Sequence, residues 1–215
     1  SGKKNLVVWA PNFAAVNASL TEKLKIEDLI ELPGAIEEAT DIAHLFGGQI
    51  WTKEQATELA FKQQAPNYEV IHIATHGMMN DEDPLFSSLV LVPEGDEDGI
   101  LHTHELFNMQ LNAELAVLSA CNSGSGKLAR GEGVISIARG FAYAGVPNIV
   151  MTKWQVSDFT TKIIMGNFYK NLKEGMHKDE AMQQAKLLFM ETYLSRPKVL
   201  APFYWGAFVV MGNNS

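Results

Sequence analysis

The chain has 215 residues, 47% of them hydrophobic, a formal net charge of −8 and an isoelectric point near 5.2. That length suits one α/β domain with a sizeable core, and an acidic balance without any Lys/Arg cluster excludes the basic footprint of a direct nucleic-acid binder. A single cysteine excludes an internal disulfide and argues for a reducing, cytoplasmic setting, while no apolar run approaches the roughly 20 residues that span a bilayer.

In chain order, Ser1-Gly2 reads as a cloning remnant and residues 1–4 as lying outside the fold. Asn5–Ala10 is a short apolar strand closed by Pro11, and its early start suggests a domain cut from a longer protein. Residues 12–28 read as loop with weak helix. Pro33-Gly34 opens a helix over Ala35–Phe46, with Ile36, Ala39, Ile42, Ala43 and Phe46 at helical spacing and Gly47-Gly48 at its end. A short strand follows at Gln49–Thr52. Glu54–Gln64 is predicted as a helix with Ala56, Leu59 and Ala60 inward, stopped by Pro66. Val70–His76 is a strand.

Met78–Pro84 is an acidic loop. Ser88–Val92 and Gly99–His102 form a predicted hairpin around the exposed turn GDEDG. Thr103 is expected to cap a short helix to Asn108. Leu115–Cys121 is a central strand, Glu132–Ala144 a small-residue helix ending at Gly145, and Asn148–Val156 another central strand. Ser157 caps a helix to about Lys173, Asp179–Tyr193 is the last helix, and Phe203–Met211 a final strand. Strands apolar on both faces, alternating with helices, imply a mostly parallel sheet covered on both sides.

Two strands carry the chemistry. EVIHIATHG ends on His76 followed by Gly77, and LAVLSACNSGSG delivers Cys121 into a Ser/Gly loop. Ligands of open parallel sheets bind at the carboxyl ends of strands, so His76, Cys121 and the segment 155–158 share one predicted crevice. A thiol beside an imidazole is a candidate nucleophile and base. Taken alone, Cys121 reads more readily as an inert small hydrophobe than as a nucleophile. His72, on the same predicted strand as His76, reads as a core or supporting histidine.

Other patterns point nowhere specific. His102 and His104 could join His72 and His76 around a metal, but no zinc spacing matches, and no metal or cofactor is expected. The acidic stretches 80–83 and 94–98 lack the calcium-loop pattern. Gly124–Leu128 (GSGKL) fails the phosphate-loop pattern, and Lys127 and Arg130 read as exposed. A nucleotide-binding domain is disfavoured because neither that loop nor GxGxxG is present.

HIATHG, LSACNSG, GEGV, AGVPNIVMTKWQVSD and FYWGAFVVMG, in that order and together with LPGAIEEA, resemble the CHAT domain from about Leu32 to Gly212. CHAT domains are caspase-like modules, often fused to tetratricopeptide repeats, grouped in one clan with caspases, separases, clostripain-like enzymes and gingipains. The resemblance implies a caspase-like α/β fold: a three-layer sandwich with helices on both faces of a mostly parallel sheet.

It also implies a cysteine endopeptidase acting on a protein or peptide substrate, in bacterial regulation, defence or cell death, under a regulatory sensor or repeat domain. The alternative is a catalytically silent binding or scaffold module. His76 carries over as the histidine of the family's HG motif and Cys121 as the nucleophile, 45 residues later against about 50 in caspases.

Backbone N–H groups of Gly77 and Cys121 are the expected oxyanion donors. Asp158 and Trp154 are expected to line the pocket for the residue before the cut. Position 119 is acidic in several clan members that select Arg or Lys; Ser119 departs from them, which weakens the expectation of a basic preference and leaves an apolar pocket walled by Trp154 as the alternative. If the preference were basic, Lys127 and Arg130 would offer a self-cleavage site.

Overall fold

The computed structural model describes residues 4–13, 32–119, 121–122, 132–154 and 156–212. Ten strands and seven α-helices are assigned among them. The strands are β1 (Lys4–Ala10), β2 (Gln49–Thr52), β3 (Tyr68–Ile73), β4 (His76–Met78), β5 (Ser88–Val90), β6 (Ile100–His102), β7 (Leu115–Leu118), β8 (Cys121–Asn122), β9 (Asn148–Thr152) and β10 (Phe208–Gly212). The helices are α1 (Pro33–Phe46), α2 (Glu58–Gln64), α3 (Thr103–Leu106), α4 (Glu132–Tyr143), α5 (Asp158–Lys173), α6 (Lys178–Thr192) and α7 (Pro202–Trp205).

A six-stranded sheet, ordered β10-β9-β7-β3-β1-β2, forms the centre; every pairing is parallel except β10 with β9. One face packs on α2 and α4 through Trp9, Phe61 and Phe141, with Trp9 and Phe61 edge to face at 5.0 Å. The other packs on α1, α5 and α6 through Ile42, Phe168, Tyr169 and Phe189. Strands buried on both faces need apolar residues at consecutive positions, which is why VVWA and LAVL read as unbroken runs. The three expected layers are present. No helix among the described residues is long and apolar enough to cross a membrane.

The helix ends follow local chemistry. Pro33 opens α1 without losing a needed N–H, and Gly47, at φ +68°, closes it with its N–H donating to the Ala43 carbonyl. Ser157 Oγ accepts from the Thr160 N–H at the start of α5.

Several sequence expectations need correction. The predicted Glu54–Gln64 helix is a 3₁₀ turn, Lys53–Gln55, followed by α2, because Thr57 caps a fresh start by accepting from the Ala60 N–H; Ala56 is buried as expected, but within α2 the buried residues are Glu58 and Phe61 rather than Leu59 or Ala60. The short helix at 103 is capped by His102 in a reciprocal box with Glu105, while the Thr103 hydroxyl donates to the Ser87 carbonyl. Phe203 belongs to a helical turn opened by Pro202, so the last strand starts only at Phe208. The runs 70–76 and 115–121 are each split between two sheets. Residues 14–31, which hold most of the expected loop, lie outside the described residues.

Candidate functional site

The second sheet is small, ordered β6-β5-β4-β8, with β4 and β8 parallel and the other pairings antiparallel. Both candidate residues reach it by the same route. β3 and β7 are neighbours in the large sheet and end in register at Ile73 and Leu118. Each chain takes a step of two residues and resumes as β4 and β8, which pair with His76 opposite Cys121 and Gly77 opposite Asn122. Adjacent strands run about 4.8 Å apart, and register partners share a face of the sheet.

Both steps are anchored. The Ala74 N–H donates to the Trp9 carbonyl at 2.8 Å, and the Ser119 N–H donates to the Ile73 carbonyl at 2.9 Å. Thr75 Oγ donates to the Val90 carbonyl. The His76 ring is 3% exposed and lies against Phe13, ring centroids 5.7 Å apart. Gly77 is registered with Leu89 on its other side.

Below this pair, toward α1, lies a polar cluster that the sequence reading did not single out. Ser119 Oγ donates to Glu38 Oε2 at 3.2 Å. Glu38 Oε1 faces His72 Nε2 at 3.4 Å, and His72 Nδ1 is 2.9 Å from the Tyr169 hydroxyl. Burial pushes the Glu38 carboxyl up to about 8, against the Ser119 hydrogen bond and helped by the charge of Asp158. Burial pushes His72 down to about 3, and raises Tyr169 well above its ordinary range, with the Glu38 charge adding to it. The spacing of Glu38 and His72 would suit an ion pair, but burial disfavours both charged forms, and the two facing atoms make no hydrogen bond to each other. A signal for Glu38 existed: it follows Ala35 by three positions and precedes Ile42 by four, on the apolar stripe of α1.

The expected pocket residues sit at the carboxyl end of β9, beside the end of β7. Trp154 is 38% exposed, stacks on Phe203 at 6.4 Å and donates its indole N–H to the Phe203 carbonyl at 2.8 Å. Asp158 is exposed at the first turn of α5 and abuts Gly34; a Cβ there would fall 2.6 Å from Asp158 Cβ, so glycine permits this approach of α1 to α5. The segment 123–131, with GSGKL, Lys127 and Arg130, and residue 155 lie outside the described residues.

The four-histidine grouping does not form. His102 and His104 stack on each other at 5.2 Å beside the exposed Phe86, whereas His72 is in the core. Among the described residues, Glu58, Glu97 and Glu105 converge, but on the Lys62 ammonium, at 2.7, 2.6 and 2.9 Å.

A family model described as the CHAT domain matches residues 1–213. Tetratricopeptide repeat protein 28 of Mus musculus is 23% identical over 221 residues, covering 85% of this chain and 9% of that protein. The crystal structure of the Arg-specific cysteine proteinase gingipain R superposes with a TM-score of 0.60 at 12% identity, covering 99% of this chain and 47% of that one. Separase in the Saccharomyces cerevisiae separase–securin complex gives 0.52 at 14% identity, covering 97% and 12%. The chain thus spans about a tenth of the curated relative and under half of either solved chain. At these identities the structural likeness bears on the fold, which is caspase-like.

Proposed function

The chain is a member of the CHAT domain family, and on that premise we propose that it is a cysteine endopeptidase acting on a protein substrate through Cys121 and His76. The observation that carries this reading is the register of β4 on β8, which sets the candidate base opposite the candidate nucleophile.

In the proposed reaction the Cys121 thiolate attacks the scissile carbonyl carbon. The oxyanion accepts hydrogen bonds from the N–H groups of Gly77 and Cys121; one such donor is worth about 3 kcal/mol by analogy with serine proteases. The C–N bond breaks as His76 gives a proton to the leaving amine, and a thioester remains on Cys121. Water then attacks the thioester, His76 takes a proton from it, and the acid product and free thiol are released. Phe13 packs on the His76 ring and helps hold it in place.

The half-exposed Trp154, backed by Phe203, supports an apolar wall for the residue before the cut, with Asp158 at its rim. The Ser119 hydroxyl is engaged by Glu38 and brings no negative charge there. A peptide library should lose its apolar preference with Trp154→Ala; an unchanged preference with both Trp154→Ala and Asp158→Ala removes these residues from the pocket. The small share of the curated relative that this chain spans supports control by a fused or partner domain, such as a helical repeat.

Because the chain has one cysteine, labelling is unambiguous. Peptidyl chloromethyl ketones should form an adduct on Cys121 that is lost in His76→Ala. No adduct with any recognition sequence would overturn the endopeptidase and leave a caspase-like binding module.

A further inference from the structure

We propose that Glu38 is a positioning residue for the candidate site: through Ser119 it clamps the chain two residues ahead of Cys121 onto helix α1. The inference rests on the endopeptidase reading only for its catalytic readout. Its basis is a single buried hydrogen bond with a polar cluster behind it. The Ser119 hydroxyl donates to Glu38 Oε2. Behind it, Glu38 Oε1 faces His72 Nε2 at 3.4 Å without a hydrogen bond between them, and His72 Nδ1 is 2.9 Å from the Tyr169 hydroxyl. The Ser119 bond is thus the one hydrogen bond of the buried Glu38 side chain among the described residues, and losing it would leave both Glu38 oxygens buried without a partner.

The same geometry gives the clamp an alkaline limit. Glu38 also lines a groove of about 580 Å³ between α1 and α5, together with Asp41, Phe159 and Lys162. The groups facing its carboxyl are Ser119 after β7, His72 on β3, and Tyr169 and Asp158 on α5, none of them a cation at neutral pH. Lys162 is held at the rim by Glu37 and Asp41, at 3.0 and 3.2 Å. An ionised Glu38 therefore gains by turning toward water in the groove, which releases Ser119.

The test compares wild type with Glu38→Ala, Glu38→Gln and Ser119→Ala, reading peptide hydrolysis and the rate at which iodoacetamide alkylates Cys121. Ser119→Ala cuts the clamp at its shallow end and should fold even if Glu38→Ala does not. Both are expected to lower kcat about tenfold with KM little changed, and to shift the alkylation rate, since a displacement of about an ångström has effects of at least that size. Glu38→Gln, which keeps the acceptor and a donor, should restore both and hold activity at pH 9, where wild type declines. Hydrolysis and alkylation unmoved by Ser119→Ala, or Glu38→Gln with the same alkaline decline as wild type, overturn the clamp. If no variant and no wild type cleaves peptide yet alkylation shifts as expected, the endopeptidase reading falls and the clamp stands.

Discussion

Two glutamates lie almost wholly buried on helices on opposite faces of the central sheet, and they are solved differently. Glu58 on α2 is 1% exposed, receives the Gly99 N–H on one oxygen and the Lys62 ammonium on the other. Glu38 on α1 is 5% exposed, accepts the Ser119 hydroxyl on one oxygen and faces the His72 imidazole with the other, with no cation beside it. Burial raises both carboxyls, but Lys62 opposes the rise at Glu58, while at Glu38 only a single hydrogen bond does. A cation favours the charged form of a buried carboxyl, and its absence favours the neutral form. The carboxyl without a cation is the one beside the candidate site.

The largest expected contrast is in pH dependence. The folded-state value of Glu38 lies near 8 and its ordinary value near 4.5, so folded protein binds a proton that unfolded protein has lost. That contribution is complete below about 4.5 and disappears as pH rises to about 8, at about 1.4 kcal/mol per pH unit between them. Urea unfolding of Glu38→Gln should lack this slope, so its stability relative to wild type should grow by several kcal/mol across the interval; parallel curves would show that Glu38 is already ionised.

Next in size is Lys62→Met, which leaves Glu58 buried without its cation. A loss of about 3 kcal/mol at pH 7 is expected, shrinking as pH falls and Glu58, whose carboxyl burial already raises, takes up a proton. A loss independent of pH would assign the effect to packing of the lysine stem.

Tyr169→Phe removes the hydroxyl 2.9 Å from His72 Nδ1 and should cost about 1–2 kcal/mol in denaturant unfolding, with no matching effect from Phe168→Leu beyond its volume change. Ser119→Ala should be the mildest, about 1 kcal/mol or less, since Ser119 is only partly buried. A stability loss for Ser119→Ala as large as that for Lys62→Met would mean that the two clusters do not differ in kind.

Much of this was legible beforehand. α1, α4, α5 and α6 follow from apolar spacing between Pro, Ser and Gly punctuation, and β1 and β9 from unbroken apolar runs. The transfer of two chains from one sheet to another was not. Val70–His76 and Leu115–Cys121 are continuously strand-like, and a period of two says nothing about which sheet a residue joins. The aromatic run after Pro202 reads as strand because bulky residues suit strands, yet Pro202 favours a helical first turn.

Of the candidate site, His76 and Cys121 were visible from their motifs, and β4–β8 pairing now relates them. Glu38 was not recognised because a Glu-Glu pair suggests a solvated surface, although its spacing from Ala35 and Ile42 turned it inward. Tyr169 was hidden among the core aromatics of α5.

The last matched pair of the large sheet is Ile73 with Leu118 and the first of the small sheet is His76 with Cys121, an advance of three residues on each strand. Equal connectors are what preserve the match. Deleting one residue from either connector would slide that strand by a single place and turn its chemical group to the opposite side. Homologous genes can therefore tolerate length change at these two points only when both connectors change by the same amount, a signature that comparing gap positions across diverged sequences would expose.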